Sequence, residues 1–124
     1  MNSHVTPTIK RNPATIILHC GTNDLRGNDS AQTIAENIAE LAQALSTNAN
    51  KVYVSGIVPR GDRLNEKAME VNEELQRMCQ RRKIQFIDNC NIDPNLHLNG
   101  SRLHLNYQGT CCLANNFLRA LGYY

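Results

Sequence analysis

No stretch of this sequence approaches the ~18 consecutive apolar residues that a membrane-spanning helix needs. The polar start MNSHVTPTIK also lacks the apolar core of a signal peptide. Together these absences predict a cytoplasmic or otherwise intracellular protein with no membrane partner. Neither sign of charge dominates, and a net charge of +2 is too small to argue for nucleic acid. The basic cluster Arg77, Arg81, Arg82 and Lys83 closes a predicted helix, where cations complement the macrodipole. The five cysteines are odd in number and form no CxxC pair, which argues against a disulfide scaffold and against zinc held with His19, His97 or His104. Cys20 and Cys79 read as small buried hydrophobes in a reducing compartment. Neither GxGxxG nor a P-loop is present, so a phosphate-cradling backbone loop is not expected. No cofactor and no metal are expected.

What is present fits a single domain of 124 residues, a length that buries roughly two thirds of the unfolded surface. Residues 1–13 are polar, carry Pro7 and Pro13, and predict an irregular lead-in to a domain over 14–124. ATIILHC (14–20) is mostly apolar and β-branched, the pattern of a strand buried on both faces. After the loop GTNDLRGND, the next segment places Ile34, Ile38, Leu41 and Leu45 at helical spacing, with Asp29 or Ser30 as the N-cap. KVYVSGIVP (51–59) predicts a second strand stopped by Pro59. Arg60-Gly61-Asp62 spells an integrin-binding tripeptide but reads as a turn. Residues 63–82 predict a helix with Leu64, Ala68, Val71, Leu75 and Met78 on one face. IQFID (84–88) predicts a third strand. Residues 89–105 show no period, and a loop that long is functional or disordered. YQGTCCLANNFLRAL (107–121) predicts a last helix with Leu113, Phe117 and Leu121 inward and Gly122 at its end.

Strands alternating with helices predict an α/β fold with a parallel sheet and helices on its faces. Ligands in such sheets bind beyond the carboxyl ends of the strands. Asn23, just past the first strand, and the long loop after the third both belong to that edge.

Two blocks carry a resemblance. Gly21-Thr22-Asn23-Asp24 follows an apolar strand, and Leu103-His104-Leu105-Asn106 precedes Gly109 and a helix. Together with the strands between them, they resemble the G-x-N-D and histidine blocks of the SGNH hydrolases, the GDSL-type esterases and lipases, over about residues 14–121. The resemblance implies a three-layer α/β/α, flavodoxin-like fold, here truncated to about three strands. It also implies a serine esterase chemistry acting on a small ester or acyl ligand, with Asn23 as oxyanion donor and His104 as general base. A donor of that kind is worth about 3–4 kcal/mol of barrier. Gly21, Asp24, Ser55 and Ser101 are then neighbours of the site. Without the resemblance, Asn23 and Asp24 read as turn-stabilising residues and His104, between two leucines, as structural. His19 and His97 gain nothing from it.

The sequence departs from the family pattern twice. No Gly-Asp-Ser-like block and no strand to carry one precede Ala14, and the D-x-x-H aspartate is replaced by Ser101. Serine accepts a hydrogen bond from imidazole but does not stabilise imidazolium as a carboxylate does. Ser30 reads as a helix cap, and Ser101 as facing the nitrogen that the aspartate would use. The expectation is therefore a domain inactive on its own that acts as a self-associating or binding module. Two alternatives stand beside it: an active carboxyl-ester hydrolase whose serine comes from another segment or chain, and a small α/β ligand-binding domain unrelated to esterases. In the family's sheet the strand at 14–20 is internal. Here it is expected to form an open apolar edge and to pair across a two-fold axis in a homodimer, unless residues 1–13 fold back over it.

Overall fold

The computed structural model describes residues 6–9, 15–19, 23–47, 49–100 and 104–123. Its sheet has the order β1-β2-β3-β4, formed by Thr6–Ile9, Thr15–His19, Lys51–Ser55 and Gln85–Ile87. β2, β3 and β4 are parallel, with His19 beside Ser55 and Ser55 beside Ile87 at their carboxyl ends. The three-stranded parallel sheet and the α/β class follow the sequence reading. β1 departs from it. Four residues of the expected irregular lead-in pair antiparallel with β2, Thr6 opposite His19 and Ile9 opposite Ile16. The edge of residues 14–20 that was expected to lie open is therefore occupied within the chain. The new edge strand contains Pro7, which has no N–H to offer a neighbour.

Alternation along the strands sends side chains to two different layers. Leu18, Val52 and Val54 pack with Ile34, Ile38 and Ala42 of α1 (Ala31–Leu45) and with Val71, Leu75 and Met78 of α2 (Asn65–Arg82). Ile17, Tyr53 and Ile87 face the other way, against Phe117, Ala120 and Leu121 of the final helix. Ser30 caps α1 by accepting from the Thr33 N–H.

β3 stops at Ser55, four residues before Pro59, because a side chain from another element takes over the pairing. Asn72 Oδ1 accepts from the Ile57 N–H at 2.8 Å and its Nδ2 donates to the Ile57 carbonyl at 2.9 Å. The chain can leave the sheet there with no buried backbone group orphaned. The long segment after β4 contains one short helix, α3 (Pro94–His97), capped by Asp93, and an isolated antiparallel bridge between Leu98 and Leu105. The last helix is α4 (Tyr107–Ala120). Among the described residues, no helix is long and apolar enough to cross a membrane.

A polar network and the histidine block at the carboxyl edge

The carboxyl ends of β2, β3 and β4 bring together side chains distant in sequence. His19 Nδ1 lies 2.8 Å from Ser55 Oγ. Asn89, two residues past β4, donates from Nδ2 to Ser55 Oγ at 2.8 Å and to the Gly56 carbonyl at 2.7 Å. Asn116 of α4 donates to Asn89 Oδ1 at 2.9 Å and to Asn91 Oδ1 at 2.8 Å, and Asn91 donates back to Asn116 Oδ1 at 2.9 Å. Asn89, Asn116 and Ser55 are all buried.

The amides fix the direction of this chain. Asn116 Nδ2 and Asn89 Nδ2 each spend both hydrogens, so Ser55 Oγ accepts from Asn89 and makes its other hydrogen bond with His19 Nδ1. His19 is half-buried at the end of β2. Burial lowers its pKa, and its ring stands edge-on to Phe117 at 6.1 Å. A serine held from two sides and 1% exposed is not placed to attack a substrate, so Ser55 is a structural member of this network.

The histidine block is held by the joint between α3 and α4. Asn106 caps α4 through Oδ1, which accepts from the Gly109 N–H at 2.8 Å. Its Nδ2 donates to the Leu96 carbonyl at 2.8 Å, and its own N–H to the His97 carbonyl at 2.8 Å. His104 sits two residues before that cap, its carbonyl accepting from the Asn99 N–H at 2.8 Å. Its side chain is exposed and has no hydrogen-bond partner among the described residues. His97 is turned to its own helix, with Nδ1 accepting from the Asp93 N–H at 2.8 Å.

Asn23 opens a short 3-10 helix, Asn23–Arg26, just beyond β2. The side chains of Asn23 and Asp24 lie outside the described residues, as do Gly21, Ser101 and Cys20 altogether. The structure therefore gives His104 an exposed position on the loop before α4 and leaves its separation from Asn23 undescribed. Two thiols are held in the protonated form at neutral pH. The Cys79 thiol is pushed up to about 11 by burial, and that of Cys90 to about 11, first by its hydrogen bond with Asp88. Among the described residues, no three of His, Cys, Asp and Glu converge as a metal site.

The Arg60-Gly61-Asp62 turn closes on itself. Arg60 Nε donates to Asp62 Oδ1 at 2.8 Å and Nη2 to Oδ2 at 2.6 Å, and Arg60 is buried. A tripeptide paired with itself in this way is not displayed for an integrin.

Sequence reading missed His19, Asn89, Asn91 and Asn116 as a unit. One signal was available: Asn116 lies at helical spacing from Leu113 and Ala120, on the inward face of α4. A polar residue on that face needs a buried partner.

The comparisons with known proteins concern the fold. The structure resembles a lipolytic protein of the G-D-S-L family from Veillonella parvula at TM-score 0.71 and 23% identity, over 90% of this chain and 66% of that one. It resembles a lipase/acylhydrolase from Enterococcus faecalis at TM-score 0.75 and 19% identity, over 88% and 61%. An acetylxylan esterase from Geobacillus stearothermophilus matches at TM-score 0.73 and 16% identity, over 91% and 61%. At these identities the likeness is one of fold, and the chain spans 61–66% of the length of these structures. No curated protein sequence matches it. The GDSL-like lipase/acylhydrolase family model matches residues 2–110. The chain belongs to the GDSL-like lipase/acylhydrolase family.

Proposed function

We propose that these 124 residues form the oxyanion-and-histidine part of an SGNH-type site, with Asn23 and His104 in those roles. On this reading they hydrolyse no ester alone and serve as a binding module. The observation that supports it is the employment of the serines. Ser30 caps α1, Ser46 donates to the Gln43 carbonyl at 2.6 Å, and Ser55 is buried between His19 and Asn89. No described serine hydroxyl is left as a nucleophile, and Ser101 stands where the family has its aspartate. Catalytic variants of the Geobacillus esterase change a serine and an aspartate to alanine, the two residue types that this reading finds wanting here.

The test is direct. The purified chain should turn over p-nitrophenyl acetate and butyrate at the buffer rate, and a fluorophosphonate should leave no serine adduct in the mass spectrum. A stable adduct would overturn the reading, and its position, Ser101 or Ser30, would name the nucleophile. The alternative is an active ester hydrolase whose serine comes from another segment or chain. It draws on the 61–66% of the related structures that the chain spans. A reading frame upstream of Met1 that encodes a strand ending in Gly-Asp-Ser would favour it.

Self-association through residues 14–20 belongs to this proposal only if β1 leaves that edge. The full chain should therefore run as a 13.9 kDa monomer in light scattering coupled to size exclusion. Removal of residues 1–9 should expose Ile16, Ile17 and Leu18 beside an unpaired backbone and give a dimer. A trimmed chain that stays monomeric and folded would exclude that edge as an interface.

A further inference from the structure

A cavity of ≈ 790 Å³ lies between the 3-10 helix after β2 and the start of α2, and the hydrolase reading makes no use of it. Its position beyond the carboxyl ends of β2 and β3 is the ligand edge of an α/β sheet. Arg26, Arg63 and Lys67 line it, together with Asp62, Leu25 and Leu64.

The electrostatics of that lining are one-sided. Asp62 is the one carboxylate of the lining among the described residues, and Arg60 already binds both its oxygens. That hydrogen bonding, Arg60 first among the causes, holds the Asp62 pKa down to about 2, so the group stays ionised and spent. Arg26, Arg63 and Lys67 form no salt bridge with any carboxylate among the described residues. Lys67 is held in place: Nζ donates to the Leu25 carbonyl at 3.1 Å and the Gly27 carbonyl at 3.3 Å. An ammonium has three donors, so one remains. α2 also begins at the cavity with an N-cap residue, Leu64, that offers no side-chain acceptor. Asp62 Oδ1 takes the Leu64 N–H at 3.2 Å, and the other N–H groups of the first turn add to the positive end of the macrodipole. Leu25, buried, and Leu64, half-buried, supply an apolar wall. The volume exceeds what a bare ion fills and falls within the usual range for small-molecule sites, about 300–1,000 Å³.

We propose that this cavity binds a small organic anion. Arg26, Arg63 and Lys67 hold its carboxylate or phosphate oxygens, and Leu25 and Leu64 pack its apolar part. Two other basic hollows are poorer hosts. One of ≈ 170 Å³ at the amino ends of the strands is lined by Lys51, Arg82 and Lys83, and Arg82 there is tied to Gln43 at 2.9 Å. In the other, Arg81 and Arg82 face Glu36, Glu40 and Glu74. The proposal does not depend on hydrolysis, since a chain that cleaves no ester would still bind the anion.

Amide NMR of the full chain tests it, titrating phenyl phosphate and benzoate, with benzyl alcohol as the neutral control. Saturable shifts are expected at residues 25–27 and 62–67 with either anion and not with the alcohol. The tighter of the two assigns the preferred head group. The double variant R26A/R63A, both exposed positions, should weaken binding by about tenfold or more at unchanged Tm. Shifts centred on residues 49–52 and 82–85, equal response to the alcohol, no saturation, or undiminished binding by the double variant would each overturn it.

Discussion

Replacing Asn89 by leucine is expected to cost about 3 kcal/mol of stability, because it strips partners from several buried groups at once. Leucine keeps the branch at Cγ but is the bulkier side chain, so overpacking at this buried position adds to the loss. The Gly56 carbonyl loses its donor at 2.7 Å. Asn116 Nδ2 loses one of its two acceptors, and Ser55 Oγ keeps only His19. Asn116→Leu should cost less, since it orphans Asn89 Oδ1 alone in the interior while Asn91 is exposed and turns to water. The double variant should cost less than the sum of the two, because the second removal no longer strands a partner. Urea unfolding of the three variants measures all of this. A loss below about 1 kcal/mol for Asn89→Leu would mean that the network contributes only the average worth of an isolated hydrogen bond.

The same network shows why part of the site was not legible in the sequence. Strands β2 and β4 and helices α1, α2 and α4 follow from apolar periodicity, which is local and repeats often enough to be counted. GTND and HLN are also contiguous, and a resemblance can attach to them. His19, Ser55, Asn89 and Asn116 lie on β2, on β3, just past β4 and on α4, and their meeting is a product of strand register and helix packing. No window of sequence contains it. β3 was read four residues too long for a similar reason: Asn72, fifteen residues downstream, supplies the pairing that a strand neighbour would have given Ile57. β1 is the opposite case. TPTI carries a proline and little apolar character, and its strand state comes from the neighbour it pairs with. α3, at four residues, is shorter than any helical period can register.

Gly109→Ala is expected to destabilise the protein by about 2–3 kcal/mol and to move the histidine block, although alanine is the better helix former by about 1 kcal/mol. Gly109 is buried in the first turn of α4, where the helix meets the end of α3. A Cβ there would overlap the His97 carbonyl oxygen and lie 3.0 Å from both His97 Cβ and Leu105 Cδ2. The leucine can rotate away. The carbonyl is backbone and already accepts from the Asn106 N–H at 2.8 Å, so relief requires the joint between α3 and α4 to open. Opening it pulls on the Asn106 cap, two residues from His104, and on the bridge between Leu98 and Leu105. Gly100→Ala is the matched control, since Gly100 is exposed and no described residue lies within 4 Å of a Cβ at that position. It should stay within about 0.5 kcal/mol of the parent. The readouts are Tm and the His104 ring signals in proton NMR. Gly109→Ala should lower Tm by ~10 °C and shift those signals, whereas Gly100→Ala should leave Tm where it is. Equal stability of the two variants would show that α4 tolerates a side chain at its first turn and that the joint does not hold His104 in place.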